Sequence, residues 1–80
     1  MRIQVKLFGK FRSFSPAGPA HNVAWLDMEP GRKLEDIFVL LGIAKDEPKT
    51  IVRNAYIARA TDSLTEGDVV AIFPPMGVSG

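Results

Sequence analysis

The sequence predicts an α+β fold: a small β-sheet packed on one main helix. Three observations lead there. Apolar residues alternate strictly at Ile3, Val5 and Leu7, and again at Val70 and Ile72. A single stretch, Lys33 to Leu41, carries an apolar stripe at helical spacing. Between them lie short apolar runs cut by Gly, Pro, Asn and Asp, the punctuation of short strands and turns.

The elements follow in order. In Arg2 to Phe8, Ile3, Val5 and Leu7 face one way and Arg2, Gln4 and Lys6 the other, so one face is buried. Phe8 falls on the polar side of that count. Ser13 to Pro19, with Pro16, Gly18 and Pro19, reads as a loop. A second strand spans Asn22 to Met28. Its inward set is either Ala24, Leu26 and Met28 or Val23 and Trp25, because both faces are apolar. The first two strands form a hairpin with a long loop. Leu34, Ile37, Phe38 and Leu41, at i, i+3, i+4 and i+7, share one helix face. Gly42 suits the position just past the helix end. No Ser, Thr, Asp or Asn precedes Lys33, so the N-terminus has no side-chain cap in the usual place. Thr50 to Arg53 and Tyr56 to Ala58 are short strands joined at Asn54-Ala55, where Asn tolerates positive φ. Leu64 anchors a turn ending in Gly67-Asp68. Val69 to Phe73 is the last strand, with Val70 and Ile72 inward and Val69, Ala71 and Phe73 outward. Pro74-Pro75 ends it, since proline donates nothing to a ladder.

Composition narrows the function. The chain has 80 residues, no cysteine and one histidine, His21. Thiolate chemistry, disulfides and a His-rich metal site are therefore excluded. The net charge of +1 gives no long-range pull on nucleic acid, and the early basic residues Arg2, Lys6, Lys10 and Arg12 read as a solvated strand face. No apolar run is long enough to span a bilayer, and the N-terminus lacks the layout of a signal peptide. Neither nucleic acid nor membrane is an expected partner, and a cytoplasmic location is the default. No Gly-rich phosphate loop, paired catalytic carboxylates or Ser-His-Asp set is present, so no enzymatic activity of the chain alone is expected.

The run Leu64-Thr65-Glu66-Gly67-Asp68-Val69-Val70-Ala71-Ile72-Phe73-Pro74-Pro75 resembles the C-terminal signature of the ubiquitin-like sulfur carriers, above all the small subunits of molybdopterin synthase. Val5-Lys6-Leu7-Phe8-Gly9-Lys10-Phe11-Arg12 is similar to their first strand, and Asn54-Ala55 lies where they commonly have Asn-Gly. The thiamine-pathway carriers share the fold but are usually shorter and lack the Pro-Pro pair. The resemblance implies a ubiquitin-like β-grasp, a mixed sheet on one main helix, over residues 1–75, with 76–80 as a flexible C-terminal tail.

It also implies a mechanism. An activating enzyme uses ATP and magnesium to adenylate the C-terminal carboxylate of Gly80, and a sulfur donor then turns it into a thiocarboxylate. The tail, Pro74, Pro75, Met76, Gly77, Val78, Ser79 and Gly80, enters the large subunit and delivers sulfur for molybdenum or tungsten cofactor synthesis. The chain itself binds no cofactor and supplies no catalytic side chain. Narrow residues suit a segment that threads into another protein, and the prolines stiffen its exit. The family ends in Gly-Gly, whereas this chain has Ser79-Gly80. A non-carrier β-grasp interaction module, or a carrier for thiamine or another sulfur-containing metabolite, therefore stays open.

The expected partner surface is the outward side of the first and last strands: Phe8, Phe73, Val69 and Ala71, an apolar patch facing the activating enzyme and the large subunit. The alternative is that the loop bearing Phe11 and Phe14 covers Phe8 and Phe73 as a second small core. His21, Glu35, Asp36, Asp46 and Glu47 read as surface residues, Asp68 as the support of its turn, and Trp25 and Tyr56 as packing residues.

Overall fold

The computed structural model describes residues 1–75. The expected separate tail, with Met76, Gly77, Val78, Ser79 and Gly80, lies outside them. The strands are β1 (Arg2–Leu7), β2 (Val23–Asp27), β3 (Thr50–Arg53), β4 (Tyr56–Ala58) and β5 (Val69–Phe73), with one helix, α1 (Leu34–Leu41), between β2 and β3. They form one sheet in the order β2-β1-β5-β3-β4. Only the central pair, β1 and β5, is parallel. The sheet is therefore mixed, as expected.

The alternation sorts the residues. Ile3, Val5, Leu7, Val70 and Ile72 are wholly buried, with Leu34, Ile37 and Phe38 of α1 in the same core. Leu64 and Ile43 complete it from the loops, and Leu41 packs against it partly buried. In β2 the inward set is Ala24 and Leu26, with Met28 partly buried, while Val23 and Trp25 are exposed. The helix covers one face of the sheet only, so the second apolar set of β2 has nothing to pack on. Trp25 and Tyr56 are thus not packing residues: both are exposed, and the Arg2 guanidinium lies 5.0 Å from the Trp25 ring centroid.

The loop expected at Ser13 to Pro19 is preceded by a short helix that takes in its first two residues. Gly9–Phe14 forms a 3-10 helix that sends Phe11 into the core, wholly buried, with Phe14 against it. Lys10 and Arg12 sit on this helix rather than on a strand. Lys10 pairs with Glu47 at 3.0 Å, and Arg12 Nε donates to the Pro19 carbonyl at 3.0 Å.

Both ends of α1 have a physical account. At the start, the Leu34 and Glu35 N–H groups donate to the carbonyls of Asp62 and Ala60 at 3.0 and 2.9 Å. The cap comes from a loop nearly thirty residues on, which no local motif announces. Asp36 also accepts the Lys33 N–H at 2.7 Å. The lysine ammonium has no lone pair with which to return the bond. At the end, Gly42 has φ +82°, its N–H donates to Val39 O, and Ile43 N–H donates to Phe38 O at 2.8 Å. That is a Schellman ending, and Ile43 and Phe38 meet in the core as such endings favour.

Among the described residues no helix is long and apolar enough to cross a membrane, and no group of His, Asp or Glu has the arrangement of a metal site.

Candidate functional site

The site begins with a register. In the parallel pair of β1 and β5, Leu7 lies beside Ile72, and the ladder runs one residue further through Phe8 N–H to Ile72 O at 3.0 Å. Phe8 and Phe73 are therefore neighbours on the face away from α1. Their rings stack with centroids 4.5 Å apart and planes 4° from parallel. Ala71 and Val69 point the same way, two and four residues back along β5, and are half-buried. The structure brings Phe8, Phe73, Val69 and Ala71 onto one face, as the alternation required.

The two rings are half-buried, so the surface is narrower than a fully open apolar patch. The second-core alternative places Phe11 wrongly: it belongs to the main core, and Phe14 packs with it at a ring-centroid distance of 6.4 Å.

The exit of the chain is held by a glycine that residue patterning passed over. Gly9 has φ +57°, a backbone region costly for other residues. A Cβ there would also stand 2.6 Å from Pro74 Cγ and 3.1 Å from Pro74 Cδ. Only the bare backbone of Gly9 lets Pro74 close against the end of β1. The signal in the sequence was a glycine directly after a strand, but its contact lies 65 positions away. Pro75 then lines a groove together with Phe38, residues 45–51 and residues 57–60. The remaining candidates, Met76 to Gly80, lie outside the described residues.

The turn before β5 is a polar lock. Asp68 is buried, as few aspartates are. Its Oδ2 accepts the Thr65 N–H at 2.8 Å, and its Oδ1 accepts Asn54 Nδ2 at 2.9 Å. Asn54 Oδ1 in turn accepts the Val69 N–H at 2.9 Å. Burial pushes the Asp68 carboxyl up, but the hydrogen bonds from Thr65 and Asn54, with the charge of Arg53, hold it below the usual carboxylate range. Asp68 thus supports its turn, as expected, and in addition ties the β3–β4 hairpin to the start of β5. His21 is exposed, and its carbonyl accepts the Ser15 hydroxyl.

No protein-family model matches the chain, and no curated protein matches its sequence. Solved structures do match its fold. The crystal structure of SAMP1 from Haloferax volcanii superposes with a TM-score of 0.72 at 18% identity, over 99% of this chain and 100% of that one. A putative molybdopterin converting factor, subunit 1, from Pyrococcus furiosus gives 0.75 at 21% identity, over 95% and 99%. A protein–protein complex of subunits 1 and 2 of the molybdopterin-converting factor from Helicobacter pylori contains a chain matching at 0.64 and 19% identity, over 100% and 99%. With likeness running the length of both chains and the same small mixed sheet on one helix, the protein has the ubiquitin-like β-grasp fold.

Proposed function

We propose that the protein is a ubiquitin-like sulfur carrier that serves as the small subunit of a molybdopterin-synthase-type complex. The observation that carries this reading is the Leu64–Pro75 run seated on the last strand of a β-grasp sheet. The likeness to molybdopterin converting factor subunit 1 supports it. In this reading the Gly80 carboxylate is the reacting group. A free carboxylate resists attack until it carries a good leaving group. An activating enzyme using ATP and magnesium forms the acyl-adenylate and releases pyrophosphate. A sulfide equivalent attacks the acyl carbon and expels AMP, leaving the thiocarboxylate. The chain then supplies sulfur but no catalytic side chain, and it binds no cofactor itself.

The Phe8–Phe73 stack, with Val69 and Ala71, is the docking face in this proposal. A flat aromatic pair offers much contact area at little entropy cost. The large subunit is the stable partner, a pairing supported by the Helicobacter complex of subunits 1 and 2. Pro74, locked on Gly9, gives Pro75 and the residues beyond a fixed starting point relative to that face.

Intact mass spectrometry tests the chemistry. After incubation with the cognate activating enzyme, ATP and a sulfide source, the mass should rise by roughly 16 Da, one sulfur replacing one oxygen. No change with an enzyme shown to be competent sinks the carrier reading. Ser79, where the family has glycine, favours one rival, an interaction module without carrier chemistry. Deleting Val78 to Gly80 separates the two: a carrier keeps partner binding and loses sulfur transfer, whereas a module keeps both its binding and its biological role.

A further inference from the structure

We propose that the free edge of β2 is a self-association surface: two copies pair antiparallel through Val23–Asp27 about a two-fold axis at Trp25, making one continuous ten-stranded sheet. The inference is independent of what happens at Gly80.

The backbone groups of β2 divide between its two sides. β1 and β2 pair with Ile3 beside Leu26 and Val5 beside Ala24. The bonds Leu7 N–H to Asn22 O and Met28 N–H to Met1 O show that Asn22 and Met28 point their backbone groups at β1. In an antiparallel ladder that orientation alternates. Ala24 and Leu26 therefore also bond to β1, and Val23, Trp25 and Asp27 turn their N–H and C=O groups outward. β2 is an edge strand, so these groups meet no neighbouring strand among the described residues. The same residues expose their side chains: Trp25 is 54% and Val23 38% exposed. Edge strands are commonly guarded by proline, lysine or a bulge. Val23–Asp27 contains none of these, and its five pairs with β1 are unbroken. The opposite edge differs. β4 has three residues, and by the same alternation only Ile57 faces outward.

What an exposed edge accepts is another extended backbone, and three features favour a second copy. With the axis at Trp25, Trp25 faces its own copy and Val23 faces Asp27 of the other chain. All three outward residues are then used, each facing pair exchanging two hydrogen bonds. Sliding the register by two residues either way leaves one outward residue of each strand unpaired. The second feature is charge. Lys6 lies beside Val23 on β1. In the dimer, Asp27 of one copy sits across from Val23 of the other, one strand from its Lys6. Neither Lys6 nor Asp27 has an ion-pair partner among the described residues. The symmetric register joins them twice. Finally, it sets the two exposed Trp25 rings side by side, shielding apolar surface that a monomer leaves in water.

Sedimentation equilibrium of the full chain, from micromolar to about 1 mM, tests this. The mass should climb from monomer toward dimer, and amide exchange at Val23, Trp25 and Asp27 should slow as concentration rises. Trp25→Lys, which sets two cations face to face on the axis, should remain monomeric. Lys6→Glu and Asp27→Lys should each weaken association about tenfold or more, and the double variant should recover it. That recovery also separates a lost contact from a damaged fold, which the double exchange would not repair. A monomer at every concentration overturns the proposal. So does a dimer whose protected amides lie elsewhere, or a double variant no better than the singles. A wild-type monomer that instead captures an extended peptide on β2 overturns the self-pairing as well.

Discussion

Asp68 carries two jobs with one carboxylate. It closes its own turn through Thr65 and fastens the neighbouring hairpin through Asn54. Its depressed pKa is a statement about stability. The contribution is present in full above the unfolded carboxyl value of about 4, and is lost as pH falls through the lower folded value. Replacing Asp68 with Ala leaves the Thr65 N–H and the Asn54 amide without their acceptor, at a cost of about 1–3 kcal/mol near neutral pH. Denaturant midpoints measured from neutral to acid should show the gap between wild type and variant closing once pH drops below about 4. A gap constant with pH would mean that the charge of Asp68 is irrelevant. Ala55 is the opposite case, a residue in the wrong place. It holds φ +75° beside Asn54 at +50°. Such a backbone costs an L-residue about 1–2 kcal/mol, of which glycine's greater unfolded freedom returns part. Ala55→Gly should therefore stabilise the protein by about 0.5–1 kcal/mol in urea unfolding.

Elements here are finished by residues far from them in sequence. The helix stripe of α1 and its Gly42 ending were legible, because both are local and periodic. Its N-terminal capping was not, because the acceptors are the backbone carbonyls of Ala60 and Asp62, and backbone carries no sequence signature. The 3-10 helix after β1 was missed for a related reason. Its single core residue, Phe11, has no partner at helical spacing to betray it. The junction of β1 and β5 depends likewise on Gly9 meeting Pro74. Gly9→Ala adds a positive-φ penalty of about 1–2 kcal/mol to a contact that the Pro74 ring cannot relieve by rotating. The unfolding free energy should fall by at least that much, and the near-ultraviolet dichroism of the Phe8–Phe73 stack should change. An unchanged spectrum would show that Pro74 does not hold the stack in register.

Across the whole molecule, one helix on one face of five strands leaves the other face uncovered, and that division was readable in the sequence alone. Alternation put Val69, Ala71 and Phe73 outward, and the count that left Phe8 on the polar side anticipated its meeting with Phe73. The register of β2 was not readable. Both of its faces are apolar, and only the position of α1 decides that Ala24 and Leu26 are buried while Val23 and Trp25 are not. By itself the sequence determined the order of the elements, the inward sets of β1, α1 and β5, and the turn at Asn54-Ala55. Each of these depends on spacing or on one residue's backbone preference. Tertiary structure decided the β2 register, the N-terminal cap of α1, the seat of Phe11 and the closure of Pro74 on Gly9. Those depend on which distant groups meet, and the free energy of a contact belongs to the pair rather than to either residue alone.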